Sequence, residues 1–303
     1  MRSSRTNRAA FSEREAQHTE LVAELSTLGD DVSVDLAERL LHCQMERRAR
    51  AKAFAETKRP VMGWPYRCKS IACWACRRAI MAKWRSRAEG LFANADSEDC
   101  SYITILLARI GELSALPDVI KKLRRDVRNV RDAMARKSPS WNALSVMGHI
   151  ELDALAETDV PLLGSRRRAV VPRLPAVGGR PDTMFWLPHA HLSVHHPHVG
   201  REYLRHALTD QWADDNRVHV REFDTDRLAQ ENAPDCISYG LKFRNSTEFA
   251  DGRVLDWPLE WSAGVWSWLH EKQNGLQPLS VKLGTRSSSA NRALSSCFAE
   301  CAV

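Results

Sequence analysis

The run Trp186-Leu187-Pro188-His189-Ala190-His191-Leu192-Ser193-Val194 sets two histidines two residues apart in an apolar stretch. Its length and composition predict a buried strand over about 185–195. Successive strand side chains point to opposite faces, so His189 and His191 share one. Two imidazoles on one rigid face can chelate a divalent metal. A lone buried histidine is commonly structural. An alternating pair is harder to explain by packing, because each buried ring needs a partner. His195, His196 and His198 follow at the strand end and are read as bystanders, although His195 keeps the parity of the pair.

Three further pieces complete a reactive constellation. In Gly148-His149-Ile150-Glu151-Leu152-Asp153 the three titratable residues alternate and share a face of a second strand. That strand can lend one carboxylate to the metal, and Glu151 is the choice. An oxygen and two imidazoles with open positions suit Mg²⁺, Mn²⁺ or a similar ion acting on phosphate. The plainer reading is an exposed polar strand face. Next, Tyr239 and Lys242 stand three residues apart, on one side of a helix. A phenol is a weak nucleophile at neutral pH, and a nearby cation lowers that cost. The chain has four tyrosines: Tyr66 beside cysteines, Tyr102 in an apolar strand, Tyr203 on an apolar helix face, and Tyr239, which alone has a lysine one turn on. Asp235, one turn earlier, projects to the same side and can act as a base toward water; its plainer role is to cap a helix after Pro234.

Of eight cysteines, Cys68, Cys73 and Cys76 are spaced C-x4-C-x2-C. Such a turn supplies thiolates at zinc-ligand separation. A tetrahedral structural Zn²⁺ needs a fourth ligand, which Cys43, His42 or Cys100 can provide; Cys43 is preferred. Cys236, Cys297 and Cys301 show no metal spacing. The basic run Arg77, Arg78, Lys83, Arg85 and Arg87 follows directly and can dock on phosphates.

The chain has 303 residues and a formal net charge of +6, enough for one large domain or two small ones. The positive charge is clustered: residues 121–137 carry eight Lys/Arg against two Asp, and Arg166–Arg168 form another group. A polyanion partner explains this, as do solvated helix faces. No apolar run approaches the ~20 residues of a membrane span, and Met1-Arg2-Ser3-Ser4-Arg5-Thr6 lacks a signal-peptide core. A cytoplasmic protein with reduced thiols and no membrane association is expected.

The elements that must hold these groups follow from periodicity. Residues 1–15 are polar and expected to be disordered. Residues 16–95 read as a helical region, with a turn at Gly63-Trp64-Pro65, the cysteine segment 66–76 and a basic helix over 77–93. Strands are predicted at 101–108, 143–153, 185–195 and 218–223, and helices at 115–137, 199–215 and 226–243. Residues 155–183, with Pro, Gly and the arginine triplet, read as a long mobile loop. Trp257, Trp261, Trp266 and Trp268 suit a packed terminal helix better than base stacking, before a flexible Ser/Ala-rich end. The order predicts an α+β domain over 96–245 with a central, mainly antiparallel sheet flanked by helices, preceded by the zinc-containing helical region and followed by a helical, Trp-rich segment over 246–303.

These residues together resemble the rolling-circle replication initiators of small plasmids, in the HUH endonuclease superfamily, over about residues 43–243. Pro188-His189-Ala190-His191-Leu192 resembles the metal motif, Tyr239-x-x-Lys242 the nucleophile motif, Ser101–Ala108 the first motif, and Gly148–Glu151 the strand before the histidines. Cys43 with Cys68-x4-Cys73-x2-Cys76 is similar to the cysteine segment of one plasmid group. The family acid before the tyrosine is usually Glu; here it is Asp235. Histidines precede the tyrosine, as in replication initiators, whereas conjugative relaxases reverse the order. The resemblance implies an HUH-type fold and a nicking-joining endonuclease. Origin DNA, single-stranded or in a hairpin, would be held on the basic surface. Mg²⁺ or Mn²⁺ on His189, His191 and Glu151 would polarise the scissile phosphate, and Tyr239, aided by Lys242, would attack it. The products would be a 5′-phosphotyrosyl link and a 3′-OH that primes synthesis by host helicase and polymerase. Asp235-activated water, or Tyr239 of a second protomer in a homodimer, would finish the cycle. The rivals are an HUH-type transposase or mobilisation nuclease, a non-catalytic zinc-containing DNA-binding regulator, and a hydrolase of small phosphoesters.

Overall fold

The computed structural model describes residues 4–59, 67–179, 184–214, 216–240, 246–271 and 278–284. In chain order the elements are α1 (Ser4–Leu28), α2 (Asp31–Thr57), α3 (Trp74–Leu91), β1 (Cys100–Leu106), β2 (Arg109–Ile110), α4 (Leu116–Ala135), β3 (Ser145–Ala156), α5 (Ser165–Val170), β4 (Ala176–Val177), β5 (Met184–His195), α6 (Arg201–Trp212), β6 (Val218–Glu222), α7 (Ala229–Gly240), β7 (Ser246–Glu248), β8 (Val254–Asp256), α8 (Leu259–Glu271) and β9 (Ser280–Leu283). The chain divides into two compact units, one of residues 1–82 and 257–276, the other of residues 83–256 and 277–303. Among the described residues, no helix is long and apolar enough to cross a membrane.

The first unit is helical. The expected helical region is divided where Gly29 takes φ +71°, the left-handed conformation that glycine adopts without penalty just past a helix end. Asp30 then caps α2 by accepting from the Ser33 N–H at 2.9 Å, which satisfies one of the orphan donors of the first turn. Leu21 and Leu25 of α1 and Leu36 and Leu40 of α2 form a fully buried stripe. Within 1–15, expected to be disordered, the described residues from Ser4 onward are helical, in α1. The reason is charge pairing. Glu15 is buried and bonded to Arg47 at 2.8 Å and to Gln44 at 3.0 Å, so a segment polar in composition still has a packed face. Trp266 of α8 is buried, in keeping with a packing role, and the Arg77 guanidinium stacks 5.1 Å over its ring.

The second unit is α+β, with a mixed seven-stranded sheet. The long strand β5 is central. It pairs antiparallel with β3 along its whole length and, on its other side, with β1 and with β2. β9 extends the sheet beyond β3 and β6 beyond β1, both antiparallel; among the described residues β2 with β4 is the one parallel pairing. The face bearing Ile103, Val146, Leu192 and Val194 is covered by Val127 and Val130 of α4 and Leu204 and Leu208 of α6. By alternation the other face carries the histidine pair, and α7 packs there against β3 and β5.

Gly148 is required where β3 crosses β5. A Cβ at that position would collide with the carbonyl oxygen of His191 and lie 2.8 Å from the Leu192 Cα. A side chain there would push apart the two strands that carry Glu151 and the histidines.

The expectation of a long mobile loop over 155–183 is also corrected for the described residues. That segment holds two short 3-10 turns, α5 and β4. Its Leu155, Val160, Leu163, Val170, Val171 and Leu174 bury a core with Leu106, Phe185 and Leu187. Proline and arginine disguise the pattern because the apolar positions are spread over several short elements, none long enough to show a period. The expected turn at 63–65 and the Ser/Ala-rich end lie outside the described residues.

Candidate metal centre and active-site cleft

Antiparallel register brings the predicted ligands together. Glu151 pairs with His189, and His149 with His191, so the three candidate ligands sit on one face of adjacent strands. The Glu151 Oε2 lies 3.1 Å from His189 Nε2 and 2.9 Å from His191 Nε2. One ligand atom from each residue falls within 4.8 Å of the others, so Glu151, His189 and His191 can hold a metal ion.

Hydrogen bonding around the rings favours a cation at their centre. The His189 Nδ1 lies 3.2 Å from the Leu187 carbonyl, so it must carry a proton and donate. In a neutral ring Nε2 is then a lone pair aimed at a carboxylate oxygen, two acceptors face to face. Either a proton or a metal must lie between them. Consistently, although burial opposes it, Glu151 and Asp153 hold the His189 imidazole above its usual range. Against its own burial, Glu151 is held well below the usual carboxylate range by the two histidines.

His191 is fixed from behind. Its Nδ1 is bonded to the Tyr102 hydroxyl, and the rings stack with centroids 5.6 Å apart. A hydroxyl both donates and accepts, so it can serve either tautomer of the ring. When Nε2 binds a metal, Nδ1–H donates to the Tyr102 oxygen. Burial pushes the Tyr102 phenol well above its ordinary range, which suits a neutral hydrogen-bonding partner rather than a nucleophile. Tyr102 is the residue that sequence reading missed. Its signal is parity with Thr104, which pairs with His191, and that register is visible only once β1 is known to lie beside β5. Replacing Tyr102 by Phe is expected to weaken Mn²⁺ binding about tenfold, the lower end for losing a partner of a metal-binding histidine. Calorimetric titration with Mn²⁺ reads this directly; unchanged affinity would show that His191 is oriented without the hydroxyl.

Tyr239 on α7 joins this group. Its ring stands edge-on to His191 at 5.2 Å and to Tyr102 at 6.4 Å, and it is half exposed to a cleft of about 690 Å³ shared with Glu151, His189 and His191. Burial raises its phenol above the ordinary value, and the charges of Glu151 and Glu248 add to this while Arg167 opposes. Asp235 lines the same cleft and is bonded to Arg227 at 2.9 Å, with Arg85 at 3.6 Å. It sits inside α7 rather than at its cap. Lys242 lies outside the described residues.

The other candidates separate clearly. His149 is buried against Trp84, edge-on at 4.4 Å, with no hydrogen-bond partner at either ring nitrogen; burial pushes it down to about 3, so it is neutral. Asp153 is buried and bonded to Arg167 at 3.0 Å. His196 is bonded to Ser101 and to the Val199 carbonyl, each at 2.8 Å, a structural role.

The four predicted thiols also meet. Cys43 of α2 lies 3.8 Å from both Cys73 and Cys76, and Cys68 lies 3.5 Å from Cys76. Four sulfurs around a metal at ~2.3 Å form a tetrahedron with edges of about 3.8 Å. All four are buried, and their sulfurs lie within 4.8 Å of one another, so the cluster can hold a structural metal. His42 and Cys100 are not part of it. The Arg47 guanidinium donates to Cys73 at 3.2 Å and to Cys43 at 3.6 Å, which offsets negative charge on the sulfurs.

Compared with protein-family models, with curated proteins and with solved structures, the chain matches none. The functional reading therefore rests on the site itself.

Proposed function

We propose that this chain is a metal-dependent DNA nicking-joining enzyme of the HUH type, acting as an initiator of rolling-circle replication. The observation that carries the reading is the convergence of Glu151, His189 and His191 with a half-exposed Tyr239 edge-on to His191. The same donor set holds iron in some oxygenases. The tyrosine, together with the cationic Arg166 and Arg221 and the His219 imidazole along the cleft, favours phosphate chemistry instead.

A divalent ion, Mg²⁺ or Mn²⁺, when bound by Glu151, His189 and His191 would supply Lewis-acid polarisation of a phosphoryl oxygen. The chain's own groups do the rest. Tyr102 and the Leu187 carbonyl hold the two imidazoles with Nε2 inward. The Tyr239 oxygen bonds to phosphorus, its proton passing to solvent, and the bond from phosphorus to O3′ breaks. The departing O3′ takes a proton to give the 3′-OH, and the 5′-phosphate stays on tyrosine. Rejoining runs this backwards from a new 3′-OH. Asp235, one turn before Tyr239, can accept a proton from the water that resolves the intermediate, once its arginine partners release it. The Cys43, Cys68, Cys73 and Cys76 cluster would hold Zn²⁺ as a structural ion. Partners on this reading are origin DNA, host helicase and polymerase, and a second copy of the chain.

The test is nicking of a single-stranded oligonucleotide and of supercoiled plasmid carrying the candidate origin, in Mn²⁺. Nicking that stops on chelation, and that is lost in His191→Ala, is expected. Tight DNA binding with no nicking in any divalent metal would instead favour a non-catalytic zinc-containing regulator. A transposase or mobilisation nuclease would share the chemistry and differ in the DNA ends it cuts.

A further inference from the structure

We propose that Arg166, His219 and Arg221 form a second phosphate subsite, which takes a backbone phosphate neighbouring the one at Glu151, His189 and His191. This rests on the DNA reading above and extends it from a reactive phosphate to a bound single strand.

The placement follows from register. Thr104 of β1 pairs with His191 on one side and with His219 of β6 on the other, and Tyr102 pairs with Arg221. Paired residues point to the same face, so His219 and Arg221 share the face of the histidine pair. Two strand spacings separate β5 from β6, about 10 Å. Arg166 reaches the same rim from α5, its Nε donating to the Asn216 carbonyl at 2.9 Å just before β6. All three side chains line the cleft that holds Tyr239.

What distinguishes this group is missing neutralisation. Elsewhere in the cleft the arginines have acids: Arg167 is paired with Asp153 at 3.0 Å and Arg227 with Asp235 at 2.9 Å. Among the described residues His219 and Arg221 have no acidic partner, and Arg166 bonds only a backbone carbonyl. Asp214, whose charge reaches Arg166, is already engaged by Arg173 at 2.9 Å. Glu222, the next residue of β6, points to the opposite face and binds Arg201 at 2.7 Å. Burial, and then the two guanidiniums, hold the His219 imidazole below its usual range. The two guanidiniums repel one another, and an anion laid across them relieves that repulsion, with the His219 ring N–H as a further donor. Two guanidiniums offer forked donors that match phosphate oxygens. The group contacts backbone and not base edges, so it positions a strand without reading its sequence.

The experiment uses the full-length protein carrying Tyr239→Phe, so that no covalent adduct forms, in a chelator. Fluorescence anisotropy of labelled oligothymidine is followed across a salt series. Each phosphate contact on a single strand contributes about 0.7 to the salt slope. Arg166→Ala and Arg221→Ala are each expected to reduce the slope by about 0.7 and weaken binding, while Arg221→Lys keeps most of it. Mn²⁺ affinity by calorimetry and the melting temperature should stay parental in all three. Parental affinity and slope in folded Ala variants would overturn the subsite and leave the DNA reading standing. Failure of the parent protein to bind the oligonucleotide at all would overturn both.

Discussion

Tyr239→Phe abolishes covalent capture of DNA, to background, and leaves DNA and metal binding in place. That is the expected result, and the geometry says why the two effects separate. The substitution removes one oxygen atom. It keeps the ring that stands edge-on to His191 at 5.2 Å and to Tyr102 at 6.4 Å, so packing of α7 on β3 and β5 is retained. It removes no ligand from Glu151, His189 or His191. The nucleophile itself has no replacement, because a nucleophile acts as a unit with its activating groups and its loss is not made up by the remainder. The measurement is a denaturing gel of protein incubated in Mn²⁺ with an oligonucleotide labelled on the 3′ side of the cut. The label should migrate with wild-type protein and not with the variant. A persistent adduct would remove Tyr239 from the role and direct attention to Tyr102, whose hydroxyl is bonded to His191 Nδ1. Tyr102→Phe at saturating Mn²⁺ is the paired control, and capture should survive there, because that hydroxyl acts through the ring it orients.

The contrast between the two tyrosines shows what could be read before the fold was known. Tyr239 was legible because a helical period puts Asp235 and Lys242 on its side and because histidines at period two stood upstream. Both signals are local, and local spacing survives in sequence. Tyr102 was illegible because its partner is 89 residues away and the pairing depends on which strand lies beside β5. The arginines divide in the same way. Arg166–Arg168 stood out as a charge run, yet composition cannot say that Arg167 is consumed by Asp153 while Arg166 is not. The α1 start was hidden by the polarity of residues 1–15, because only the fold brings Arg47 and Trp74 around Glu15. The cysteine cluster was the most legible feature, since a C-x2-C turn imposes its own geometry, and only the choice among Cys43, His42 and Cys100 needed the helices.

Removing the metal from that cluster is expected to unfold the helical unit and to spare the histidine centre. Four buried thiols at sulfur-ligand separations give this unit few alternatives. Cys43 comes from α2, Cys68 and Cys73 from the segment before α3, and Cys76 from the first turn of α3, so one ion would tie three pieces of chain. Structural zinc contributes an apparent ~10–16 kcal/mol, against a total domain stability of ~5–15 kcal/mol; losing it exceeds what the Leu21, Leu25, Leu36 and Leu40 stripe can supply alone. Elemental analysis should find one zinc per wild-type chain and none in Cys73→Ser. Limited proteolysis of that variant should cut within residues 1–82, and its far-ultraviolet dichroism should lose helix. Mn²⁺ titration should still saturate the Glu151, His189 and His191 site, because those ligands belong to β3 and β5 and none belongs to the cysteine cluster. A Cys73→Ser protein with parental helix content and protease resistance would mean that the sulfurs are simply packed together. Arg47 argues against that outcome. A buried guanidinium donating to two sulfurs and bonded to Glu15 is costly beside neutral thiols, and favourable beside thiolates that a metal keeps ionised.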